Sequence, residues 1–220
     1  LDRAAIRALV VFRLAFSVGK MAVIIFLPIY ARTEFGINPF AIGGILAGGK
    51  LTKSILQGKV GDITDQYGTY HRFIFVGALI YGVGTALIPL AEFAHLVFPS
   101  VTLGAFGAAM TLPPAFFSLF LAYGVLGVGD SFRLPASMTL FVEEGEYYDA
   151  VAGSMSLRSI AWKIGQVSGP VAVGFIWDQT SVFGAFWTAA GFLVLSSAIF
   201  LVLYRSEPAP ENALNATASD

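Results

Sequence analysis

The chain has 220 residues, of which 56% are hydrophobic and 12% charged, with a formal net charge of -1. That charged share is about half the usual one for a soluble domain, which makes this a membrane composition, and the near-neutral balance excludes a basic nucleic-acid surface. There is no Cys, so disulfides and thiolate metal sites are excluded too, and no cofactor or metal is expected.

A bilayer core of roughly 30 Å takes about 20 apolar helical residues to cross. Six runs qualify by eye, at about 8–30, 40–58, 73–91, 115–141, 154–176 and 183–204. Alternating ten-residue barrel segments are absent, so the spans are expected to be helices. The first run is too long, and too interrupted by Arg13 and Lys20, for a cleaved signal. After it come ARTEFGINP (31–39) and the second run. GKVGDITDQYGTYHR (58–72) follows and is expected to form a loop. Residues 92–114 carry a long uncharged stretch that is expected as an external insertion lying in the membrane interface, because a seventh span would reverse everything after it. VEEGEYYDAVAG (142–153) and WDQTSV (177–182) separate the last three runs. The membrane domain is expected over 1–207 and a disordered polar tail over 208–220, where Asn215-Ala-Thr217 matches a glycosylation acceptor. The start at Leu1 without a Met suggests a fragment or a processed product.

Orientation follows from the basic residues. An inside N-terminus puts Arg3, Arg7, Lys59, Arg72 and Arg205 on one face and only Arg32 on the other. Both termini and the 58–72 loop are therefore expected in the cytoplasm of a multi-pass cell-membrane protein.

Charged groups within a span cost several kcal/mol each and normally face a bundle interior or a watery cavity. Here they form helical stripes: Arg13, Ser17 and Lys20 in the first run, Lys50, Lys53 and Gln57 in the second. Tyr123, Asp130, Arg133 and Ser137 mark the fourth, and Ser159, Lys163 and Gln166 the fifth. The third and sixth have none. The order reads as two three-helix repeats, each with two helices on a polar path and one facing lipid, as in many secondary transporters. Basic groups near span ends, such as Arg13, Lys53, Arg133 and Arg158, also fit snorkelling. Lys20, Lys50, Asp130 and Lys163 lie near mid-span, and Asp130 and Lys163 are expected to pair because they share one depth. Lys20, Lys50, Tyr123, Asp130, Lys163 and Gln166 are the candidate substrate and coupling path. On another face of the fifth run, Gly165 and Gly169, followed by Pro170, suit close packing of a neighbouring helix.

These residues resemble the major facilitator superfamily, whose half-molecule is six helices in two inverted three-helix repeats. Gly58-Lys59-Val60-Gly61-Asp62 resembles the first part of its loop motif between the second and third helices. The usual basic cluster is reduced to Arg72. GVLGVGDSFRLPASMTLFVEE resembles its fourth or tenth helix, and Gly165-x-x-x-Gly169-Pro170 its antiporter-associated Gly-Pro motif. The resemblance covers residues 8–204. It implies an all-α integral membrane fold and an alternating-access secondary transporter, with Gly58, Asp62 and Arg72 latching a cytoplasmic gate. The degenerate loop and the tail suggest the C-terminal half of a twelve-helix carrier; an N-terminal half, or a homodimer of half-size chains, is the alternative. Seven in-span cations against one in-span anion favour an anionic solute, and protons are the expected coupling partner.

Two other classes compete. An intramembrane serine protease needs a Ser and a His facing each other in the bilayer, but His71 and His95 lie in a loop and at a span edge. No phosphate-binding loop or helical zinc-protease motif is present, so no enzyme activity is expected. A non-transporting sensor or scaffold with the carrier fold is separated from a carrier only by solute flux.

Overall fold

The computed structural model describes residues 4–105 and 108–205. The 208–220 tail with its Asn215 acceptor, and Arg3, lie outside the described residues. α1 (Ala4–Met21) continues through a π-helical turn (Ala22–Phe26) into α2 (Leu27–Thr33). Pro28 lacks the N–H that the Ile24 carbonyl would accept, which accounts for the irregular turn beside it. α3 (Pro39–Tyr67) opens with the Asn38 side chain accepting from Ala41 N–H at 2.8 Å and with Pro39 in its first turn.

α3 does not end at residue 58. The polar stretch expected as a loop is helical through Tyr67, and only Gly68 and Thr69 separate it from α4 (Tyr70–Leu87). Its charges do not break the helix, because Lys59, Asp62 and Asp65 are exposed side chains on a helix that outruns its apolar section. Gly68 ends it: at φ 61° it adopts the left-handed conformation, and its N–H bonds to Thr64 O.

α4 runs on as a 3₁₀ segment (Ile88–Leu96), after which β1 (Val101–Ala105) pairs antiparallel with β2 (Ala108–Leu112), Val101 opposite Leu112 and Leu103 opposite Met110. The stretch expected as an external insertion, residues 92–114, thus carries a pair of antiparallel strands. Val101, Thr102 and Thr111 suit strand geometry, and no helical stripe competes. α5 (Pro114–Tyr147), α6 (Val151–Gln179) and α7 (Val182–Arg205) complete the bundle.

Among the described residues four helical segments are long and apolar enough to cross a membrane: Ala5–Thr33, Tyr70–Leu96, Pro114–Tyr147 and Val182–Tyr204. α3 and α6 are long, at 29 residues each, but Gly, Lys and Ser dilute their apolar character. α1 packs on α6 and α7, α5 packs on α3 and α4, and α4 packs on α7. Buried aromatic pairs fill the centre, with Phe12 5.1 Å from Phe200 and Phe16 5.2 Å from Tyr81 between ring centroids. At the far end Tyr30 OH donates to Pro89 O, 3.3 Å away, and Trp187 Nε1 to Ala86 O, tying α2 and α7 to the α4 end.

Two glycine contacts position the polar side chains. Gly77 of α4 meets Gly129 of α5 so closely that a Cβ on Gly77 would lie 2.6 Å from Gly129 O and from Arg133 N. Gly165 and Gly169 of α6 lie against α1, and a Cβ on Gly169 would come within 2.9 Å of Val18 O. Both contacts press one backbone on another, the use to which membrane helices put small residues.

Candidate functional site: a lysine-lined cavity

Asp130 sits near the middle of α5, where the Gly77–Gly129 contact holds that helix against α4. Its carboxylate joins two cations from different places. Lys20 Nζ donates to Oδ2 from α1, and Arg133 Nη2 donates to Oδ1 at 2.8 Å from one turn along α5. Lys53 Nζ of α3 stands 3.9 Å from Oδ2. Arg133 is 1% exposed and Asp130 7%, so this pairing is made in the interior. Charges desolvated there are tolerable only because each has a partner.

Aromatic rings cover the other sides of the cations. Arg133 stacks 3.9 Å over Phe16, and Lys20 lies 5.0 Å from the Tyr81 ring. Such cation–ring contacts are worth more when desolvated, about 2 kcal/mol. The π-helical turn begins at Ala22, just beyond Lys20, so α1 is irregular beside its central charge.

The lysine side of Asp130 opens into a cavity of about 290 Å³. Lys20, Lys50, Lys53, Tyr81, Tyr123 and Asp130 supply its polar groups, and Leu46 and Leu126 part of its apolar wall. That is three ammonium groups against one carboxylate. A small solute carrying negative charge would find donors here without an acidic competitor other than Asp130.

Four residues of the expected path, Lys20, Lys50, Tyr123 and Asp130, line this cavity together. Lys163 and Gln166 do not. They lie on the exposed side of α6, and the expected Asp130–Lys163 pair is replaced by Asp130 with Lys20 and Arg133. Direction around the helix decides this: docking Gly165 and Gly169 on α1 leaves Lys163 on the exposed face of α6. Gly58 and Asp62 are exposed on α3 and Arg72 is exposed in the first turn of α4, and no ion pair joins Asp62 to Arg72 among the described residues. Pro170, within α6, is half-buried beside Gly169.

The third span, read as facing lipid, contributes Tyr81, which is 3% exposed. No charge marks that position, and only its packing against α5 and Phe16 brings it to the cavity. Lys53 and Arg133 were visible in the stripes, and the i, i+3 spacing of Asp130 and Arg133 was a signal for their pair.

The sequence profile of the Major Facilitator Superfamily matches residues 9–219, nearly the whole chain. The chain belongs to this superfamily. It is therefore a multi-pass membrane transporter acting on a small-molecule solute across a lipid bilayer. No curated protein matches the chain.

Proposed function

We propose that the chain is one six-helix unit of a secondary active carrier that moves a small organic anion by alternating access. The observation that carries this is the cavity in which Lys20, Lys50 and Lys53 face a single carboxylate, Asp130. An incoming anion competes with Asp130 for Lys20, and a proton on Asp130 would release the same lysine. Either event loosens the tie between α1 and α5, which is how binding would be coupled to the gate and to protons. The Gly165–Pro170 element favours exchange of solutes as the transport mode, and efflux as its direction.

The six-span, two-repeat reading is supported by the packing. Exchanging α1, α3 and α4 with α5, α6 and α7 turns α1–α6 into α5–α3 and α1–α7 into α5–α4, and leaves α4–α7 unchanged. α3 and α6 occupy equivalent outer positions, and both leave apolar side chains exposed, among them Leu51, Ile55, Val167 and Val171. A second six-helix unit, either the other half of the carrier or another copy, is proposed to cover these faces and to bring Lys163 and Gln166 to the path. Both termini are proposed to be cytoplasmic.

Lys50→Gln with Lys53→Gln is expected to raise KM for the anionic solute at least tenfold while kcat changes less, since both lysines line the cavity and only Lys53 reaches Asp130, at 3.9 Å, where Lys20 and Arg133 hold the carboxylate more closely. Uptake by reconstituted protein measures this; an unchanged KM would remove the cavity from the transport path.

Asp62 is proposed to latch the cytoplasmic side, although in this state it is exposed and free of Arg72. Its partner would come from the second six-helix unit. Asp62→Asn should impair flux severalfold with insertion intact, and a correctly inserted variant with normal flux would dismiss the latch.

A further inference from the structure

We infer that Arg13, Arg133 and Arg158 form a second binding station for an oxyanion, a carboxylate or phosphate group, on the far side of Asp130 from the lysine cavity. This station deepens the anion reading above and rests on it. The three side chains converge from α1, α5 and α6, and none of them lines the cavity. Arg13 and Arg133 are 6% and 1% exposed, and Arg158 is half-buried. Ring contacts bring them together: Arg13 lies over Trp162, one turn along α6 from Arg158, and Arg133 lies over Phe16, one turn along α1 from Arg13.

Their faces and edges are treated differently. Arg13 stacks 4.5 Å over Trp162 and Arg133 3.9 Å over Phe16, so the flat faces are covered by rings. The edges, where N–H groups point, are not satisfied. Nε and Nη1 of Arg13, Nε and Nη1 of Arg133 and Nε of Arg158 are buried with no hydrogen-bond acceptor. Nη2 of Arg133 is held by Asp130.

Buried donors that lack acceptors are costly, more so on a charged group. Rings do not cure this, because they offer a face to the cation and no lone pairs to its edge. Asp130, the carboxylate at this cluster, is already shared between Lys20 and Arg133. Among the described residues, five buried N–H positions of the cluster therefore have no acceptor placed on them. An oxyanion supplies several lone pairs at once, and planar guanidinium groups suit carboxylate and phosphate in particular.

Asp130 is the partition between the two stations. Its Oδ2 faces Lys20 and Lys53, and its Oδ1 faces Arg133. An oxyanion that replaces Asp130 on Arg133 would leave the carboxylate to Lys20 and Lys53, so that filling the arginine station closes the lysine one behind it.

Trp162, stacked on Arg13, gives a local probe. With Trp177 and Trp187 replaced by Phe, Trp162 is the sole tryptophan. Inorganic phosphate is titrated against the purified protein at constant ionic strength, with chloride as the balancing anion. A saturable change in Trp162 emission is expected, with affinity falling at least tenfold in Arg13→Gln and in Arg158→Gln. Arg13→Lys, which keeps the charge but not the planar donor set, should fall between. The Lys50→Gln, Lys53→Gln variant should keep the emission response, because its changes lie on the other side of Asp130. Should Arg13→Gln not fold, Arg158→Gln carries the test, its side chain being only half-buried. Unchanged titrations in the arginine variants, or a response lost only in the lysine variant, would overturn the second station and leave the cavity as the anion site. No saturable response in the parent would also overturn it, while uptake measured on the lysine variant would still decide the cavity reading.

Discussion

Asp130→Asn is expected to lower transport at least a hundredfold. Asn has nearly the same shape, so packing against α4 is kept and the loss is one of charge. Arg133, buried, and Lys20, half-buried, would then remain with no counter-ion, and removing one partner of a buried pair typically costs about 3–5 kcal/mol. Because Asp130 is the group that a solute and Lys20 contest, the variant should also lose any pH dependence of transport. Stability and transport are separable here. Lys20→Gln added to Asp130→Asn removes one unpaired charge, so thermal unfolding of the double variant should recover part of the loss, with a coupling of about 0.5–3 kcal/mol. Transport should not recover. A double variant no more stable than Asp130→Asn would show that Lys20 and Asp130 do not support each other.

Gly169→Leu is expected to be comparably severe for a different reason. A Cβ there would stand 2.8 Å from Met21 Cβ and 2.9 Å from Val18 O, and the second of these is backbone that cannot rotate aside. A leucine would force α6 away from α1 at the level of the charge network, since Lys20 adjoins Met21. Overpacking of this kind costs typically 1–3 kcal/mol. The variant should unfold at lower temperature and lose most transport, while Gly191→Leu on α7, where nothing lies within 4 Å, serves as the tolerated control. Equal thermal stability of the two variants would mean that the α1–α6 seam is not tight.

Much of the helical layout was legible because apolar runs and mid-span charges are local features. The stripes of Lys20, Lys50, Tyr123 and Asp130 pointed to one interior, and those residues line one cavity. Lys163 stands away from Asp130 because depth along a helix can be read from residue spacing, whereas the direction a side chain takes depends on which neighbour the helix docks against. Tyr81 was missed for the same reason: a lone tyrosine in an apolar run carries no sign of the charges it will meet. The 58–72 stretch was misread as a loop since polarity and helicity are independent, and only Gly68 encodes a stop. The paired strands β1 and β2 lie in an uncharged segment whose hydrophobicity conceals its strand propensity.

The central claim is that a small anion crosses by way of the lysine cavity. The most direct measurement is uptake into proteoliposomes of a mixed panel of small organic anions, cations and neutral solutes, compared between the parent and the Lys50→Gln, Lys53→Gln variant. The account predicts that the parent accumulates one or more anions, that cations and neutral solutes are excluded, and that the variant needs at least tenfold more anion for the same rate. Accumulation of cations, or anion uptake indifferent to the loss of both lysines, would contradict it.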